Sequence, residues 1–125
     1  MLTKTNMTVH NTNLSLSTFN MFGFRIAVGM LTELCDKFKV SINAVQEHWL
    51  RSDNLDKFNH VHSDYNFFAI SSMCIAASEG ILKGRPFGGV AFLWHKSLNR
   101  CFKFVQSYPN GRCLVSLSNV ITNLY

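Results

Sequence analysis

The chain has 125 residues, 47% of them hydrophobic and eleven of them Phe, which allows one domain with an ample core and excludes a second. A formal charge of +5 suits a polyanionic partner, because Lys and Arg gain affinity for phosphates by releasing counterions. No run of five Lys or Arg occurs and the positive residues are scattered, so most of them read as solvated surface.

No stretch approaches the roughly 20 apolar residues of a membrane span, and Met1 to Thr12 is polar, so neither membrane insertion nor secretion is expected. Cys35, Cys74, Cys101 and Cys113 lie far apart without a Cys-x-x-Cys pair and read as free thiols of a reducing compartment, nuclear or cytoplasmic. The sequons at Asn6-Met7-Thr8 and Asn13-Leu14-Ser15 then read as chance matches.

Residues 1–13 read as a polar N-terminal segment, and 14–125 as the folded part. Leu14 to Phe19 opens with alternating apolar and polar residues and predicts a strand ending at Asn20. Gly23 marks a tight turn, after which Ala27, Met30, Leu31, Leu34, Cys35 and Phe38 recur at helical spacing and predict a helix lying over a sheet. Val40 to Val45 predicts a second strand. Reached through a helix, it pairs most economically in parallel with the first, which places Asn20 and Glu47 at one sheet edge. From His48 to Lys83 the pattern predicts mostly loop with a short strand around Tyr65, Phe67 and Phe68. Phe87 to Trp94 is nearly continuous in apolar residues, as in a strand buried on both faces, and Cys101 to Val105 alternates. Tyr108-Pro109-Asn110-Gly111 is a turn, so the chain should reverse into Arg112 to Leu117 as a hairpin.

Two apolar segments end on polar groups, Phe19-Asn20-Met21-Phe22-Gly23 and Val45-Gln46-Glu47-His48, and the glycine pair of Pro86-Phe87-Gly88-Gly89-Val90 follows downstream. An amide at Asn20 and a carboxylate at Glu47, on adjacent strands, could face each other across a divalent cation. Each has a plainer reading. Asn20 alone would be a turn former, Glu47 a surface carboxylate, and Gly88 and Gly89 a bulge or close backbone approach that requires no ligand. His60-Val61-His62-Ser63-Asp64 has the His-x-His-x-Asp spacing of a binuclear hydrolase, but no apolar strand leads into it and it reads as an exposed loop. Lys96, Arg100 and Lys103, interleaved with Trp94 and Phe102, could touch nucleic acid, with a solvated strand edge the plainer alternative.

In this order the three elements resemble the first half of the endonuclease/exonuclease/phosphatase superfamily, which includes apurinic endonucleases. Gln46-Glu47-His48-Trp49-Leu50, Asp64-Tyr65-Asn66-Phe67-Phe68 and Gly84-Arg85-Pro86-Phe87-Gly88-Gly89-Val90 resemble more closely the endonuclease domain at the front of non-LTR retrotransposon polyproteins. The resemblance runs from about Leu14 to the last residue. It implies an α/β fold, the N-terminal half of a four-layer α/β sandwich with mixed β-sheets, and hydrolysis of DNA phosphodiester bonds by a metal-activated water. It further implies Mg, or Mn, as the metal, with Glu47 as its ligand and Asn20 as a catalytic residue arranging metal and phosphate.

The family's Asp-x-Asn pair, metal-linked Asp and terminal Asp-His pair find no counterpart, since no acidic residue follows Glu79 and no histidine follows His95. Phe22, Ala91, Ser41 and Asn43 are smaller departures from its pattern. A missing base leaves most of the hydrolytic barrier standing, so the expectation is a fragment inactive alone, derived from a mobile element. The alternative is a non-catalytic remnant or nucleic-acid-binding module keeping only the scaffold; a phosphomonoesterase or lipid-phosphate hydrolase is less favoured. A sheet without its facing layer should also self-associate.

Overall fold

The computed structural model describes residues 2–9, 12–73, 87–100, 102–108 and 112–117, with the last two segments described as strands only. The fold is α/β. Its main sheet has five strands in the order β1(Leu2–Val9), β2(Thr12–Asn20), β3(Ile42–Gln46), β5(Val90–His95), β4(Tyr65–Ile70). β2 and β3 are parallel and all other neighbours antiparallel, so the sheet is mixed. β6(Phe102–Tyr108) and β7(Arg112–Leu117) form a separate antiparallel pair with a register shift between Phe104 and Gln106. The expected hairpin is therefore present, while its turn at Pro109 to Gly111 lies outside the described residues.

Helix α1(Phe24–Asp36) joins β2 to β3 as the predicted crossover. It buries Ala27, Leu31, Leu34 and Cys35, a stripe at i, i+4, i+7 and i+8, against Phe19 and Val45 of the sheet and Leu93 of β5. Two members of the expected stripe do not join it: Met30 and Phe38 are 46% and 52% exposed. Met30 lies on the rim of the stripe, and the helix stops at Asp36 before Phe38 can complete a further turn. Lys39, with a left-handed φ of 50°, bends the chain so that Val40 N–H donates to Leu34 O at 2.9 Å. Phe38 is left beside the Lys4 and Lys37 ammonium groups, each 5.9 Å from its ring centroid.

The segment before Leu14, for which the sequence suggested no element, supplies β1. Its Thr and Val residues suit a pleated ribbon, and its polar character fits an outermost strand whose residues 2–6 are exposed. Between β3 and β4, where mostly loop was expected, a 3-10 helix spans Ser52–His60. Phe58 pins it to the core, edge-on to Phe24 at 5.0 Å and to His48 at 5.4 Å between centroids. β5 is not buried on both faces as expected. Ala91 and Leu93, toward α1, are buried, whereas Val90, Phe92 and Trp94 on the other face are only partly so.

Polar groups inside this core are paired. Ser17 Oγ–H donates to Asn43 Oδ1 at 2.6 Å between β2 and β3, and Tyr65 O–H donates to Val40 O at 2.6 Å. Burial pushes the Cys35 thiol up to about 12, and burial also raises the Tyr65 phenol above its ordinary value. Cys35 is a free cysteine, and the side chains of the other three lie outside the described residues. No helix among the described residues is long and apolar enough to cross a membrane.

Candidate metal and phosphate site

Because β2 and β3 are parallel and β5 runs against them, the C-terminal ends of the first two and the start of the third meet at one sheet edge, with Asn20 opposite Gln46 and Gln46 opposite Val90. Asn20 and Glu47 thus share that edge, as the crossover predicted. Pairing continues past the strands. Met21 N–H donates to Gln46 O at 2.9 Å, Gly23 N–H to Glu47 O at 2.9 Å, and Phe24 N–H to His48 O at 2.8 Å. On the other side Glu47 N–H donates to Gly89 O at 2.8 Å and Trp49 N–H to Gly88 O at 3.0 Å. The backbone of 47–49 is therefore gripped from both flanks.

The Glu47 carboxylate is not a free surface group. Its Oε2 accepts the Trp49 indole N–H at 2.7 Å and the Gly88 backbone N–H at 3.0 Å, while Oε1 accepts no hydrogen bond among the described residues. Asn20 behaves locally as a turn former, since its Oδ1 accepts Phe22 N–H at 3.0 Å in an Asx turn. No hydrogen bond joins Asn20 to Glu47. The two groups are brought to one edge, each hydrogen-bonded to other partners.

His48, between Glu47 and Trp49, points into the core and is fully buried. Leu50 N–H donates to Nδ1 at 2.9 Å, which assigns the proton to Nε2 and makes Nε2–H the donor to Ile70 O at 2.8 Å. Burial lowers the pKa of this imidazole, and with both nitrogens committed it is a structural pin. Gly88 and Gly89 take left-handed φ values of 69° and 96°, and an added Cβ at Gly88 would lie 2.6 Å from Ser72 Cβ. Gly89 N–H donates to Ser72 Oγ at 2.8 Å. Their role as scaffold is thus supported, with one addition: the Gly88 amide reaches the carboxylate. Sequence reasoning missed this contact and the Trp49 clamp; a Trp two residues beyond the candidate ligand was the available signal for the latter.

The His-x-His-x-Asp motif does not assemble. His60 ends the 3-10 helix, His62 Nε2 lies 3.2 Å from Asp36 Oδ1, and Asp64 N–H donates to His62 Nδ1 at 3.0 Å. No group of three His, Cys, Asp or Glu side chains able to hold a metal occurs among the described residues. Of the basic cluster, Lys96 and Arg100 are exposed, Trp94 Nε1–H donates to Asn99 Oδ1 at 2.9 Å, and the Phe102 and Lys103 side chains lie outside the described residues.

No family model matches the chain, and no curated protein matches it. Among solved structures it is similar to an AP endonuclease from Archaeoglobus fulgidus, at 16% identity and a TM-score of 0.48, over 65% of this chain and 27% of that one. It is also similar to the 3′ phosphatase NExo from Neisseria bound to product DNA hairpin, at 14% identity and a TM-score of 0.49, over 72% of this chain and 30% of that one. The chain thus spans less than a third of either neighbour's length.

Proposed function

We propose that this chain is the front part of a Mg-dependent DNA phosphodiesterase of the endonuclease/exonuclease/phosphatase type, derived from a mobile element and inert in hydrolysis by itself. The observation that carries the reading is the Glu47 carboxylate, set at the shared edge of β2, β3 and β5 with one oxygen fastened by two N–H donors and the other accepting none among the described residues. That donor suits a hard cation, because Mg takes oxygen ligands and is commonly held by one or two carboxylates together with substrate phosphate. Such an ion would neutralise charge developing on the phosphate and leaving oxygen. Glu47 would hold it through Oε1, and Asn20, at the same edge, would orient a phosphate through its amide N–H groups. No acidic residue follows Glu79, so this sequence offers no Asp-His base beyond that point, and water activation falls outside what these residues do.

The test is retention of duplex DNA with Mg or with chelator, together with nicking of supercoiled plasmid, for the chain and for Glu47→Gln. Binding that Mg strengthens, a loss of that increment in Glu47→Gln, and no nicking by either protein are expected. DNA retention indifferent to both metal and Glu47 would replace this reading with a second one, a nucleic-acid-binding remnant keeping only the scaffold. The absence of a three-ligand cluster among the described residues favours that alternative.

A further inference from the structure

We propose that Trp49 is a positioning residue for Glu47: its indole N–H, with the Gly88 amide, fixes the carboxylate so that Oε1 is the oxygen offered to the cation. The inference rests on the metal-binding reading of Glu47 and adds the device that orients it. Both donors converge on Oε2, at 2.7 and 3.0 Å. Both are neutral, so the carboxylate is oriented without losing its charge to an ion pair. No ion pair to Glu47 occurs among the described residues. A Glu side chain free to rotate would lose that freedom on binding a metal, whereas one already held loses little.

The backbone is shaped for this contact. Glu47 and Trp49 both take left-handed φ values, 56° and 60°, a conformation unfavourable for side chains of their size. Two such residues flanking a buried histidine are kept in place by the four backbone hydrogen bonds to Gly23, Phe24, Gly88 and Gly89. Gly23 completes the arrangement. With a φ of 105° and no side chain, it lets the indole lie against its α-carbon, where an added Cβ would come 2.9 Å from Trp49 Cε3. Strain at Glu47 and Trp49, offset by backbone hydrogen bonds to the segments on both flanks, marks a constrained orientation rather than packing alone.

The experiment is titration of the full chain with Mn²⁺, read by water-proton relaxation, beside Trp49→Phe and Glu47→Gln. Trp49→Phe keeps an aromatic side chain beside Gly23 and removes the donor together with one ring of the indole. It should weaken Mn²⁺ about tenfold, within the range for residues that orient metal ligands, while a cooperative urea transition is retained. Equal affinity in Trp49→Phe and the parent, with binding lost in Glu47→Gln, would overturn the inference and leave the metal reading standing. No Mn²⁺ binding by the parent would overturn both. Should Trp49→Phe fail to fold, Trp94→Phe leaves Trp49 as the sole indole: its fluorescence should be quenched by Mn²⁺ with the same saturation curve as the relaxation signal, and its indifference to Mn²⁺ would refute the contact.

Discussion

The α-carbon of Gly89 lies against the imidazole of His48, so close that an added Cβ would sit 2.7 Å from Nδ1 and nearer still to Cε1 and Nε2. The contact joins residues 41 positions apart and places β5 against the segment that carries Glu47. Its φ of 96° disfavours a side chain independently of the clash.

Gly89→Ala should therefore lose about 2–4 kcal/mol of folding stability, from overpacking and backbone strain together. Gly29, exposed within α1 with nothing within 4 Å of an added Cβ, gives the opposite sign. Gly29→Ala should gain about 0.5–1 kcal/mol. Urea unfolding of the two variants beside the parent checks both, and similar midpoints would contradict the geometry.

His48 predicts acid sensitivity. Burial lowers its folded-state pKa, so as pH falls below about 6.5 the unfolded chain takes up a proton that the folded chain resists, and stability drops until the folded value is passed. Above that window its contribution is constant. Proton NMR should show the His48 imidazole still neutral below the ordinary imidazole value of about 6.5, and its protonation at or above that value would refute it.

At the alkaline end the sign reverses. Cys35, pushed up to about 12 from 9.0, stays a neutral thiol in the fold while the unfolded chain ionises from about pH 9, so stability falls between these values; the raised Tyr65 phenol adds in the same direction. Urea midpoints at pH 8 and pH 10.5 should differ, and Cys35→Ala should reduce the difference. An equal drop in the variant would assign the loss elsewhere.

Ser17 and Asn43 are a buried pair whose parts are worth less separately than together. Ser17→Ala leaves Asn43 Oδ1 without its 2.6 Å donor and should cost about 1–3 kcal/mol. Adding Asn43→Leu removes the stranded group and should recover much of that loss. A double-mutant cycle that is simply additive would contradict the pairing.

Much of the site's frame is legible in sequence because it is local. The apolar run ending at Asn20, the helical spacing from Ala27 to Cys35 and the strand before Glu47 lie in continuous segments, and the parallel crossover follows from their order. What escapes is non-local or leaves no periodic trace. The 3-10 helix is held by buried Phe58 with Leu55 packed partly against the core, two apolar positions that are too few to announce a helix. Strand β1 reads as a polar leader because an outer strand needs little apolar surface. Asn20 could be placed at the edge, but its hydrogen bond to Phe22 could not be foreseen from spacing. Nothing near His48 announces that Gly89 will cover it.

The fastening of Glu47 by the Gly88 amide also ties the site to the timing of folding. Residues 12–47 can form β2, α1 and β3 from nearby contacts, yet the carboxylate acquires its second donor only when a strand beginning more than forty residues later docks alongside. Pairing of such sequence separation closes late, since the loop entropy must be met before the contact rewards it. The oriented carboxylate is thus a marker of completed assembly: a chain halted before β5 docks would hold the right residues at the right strand ends with the ligand still swinging.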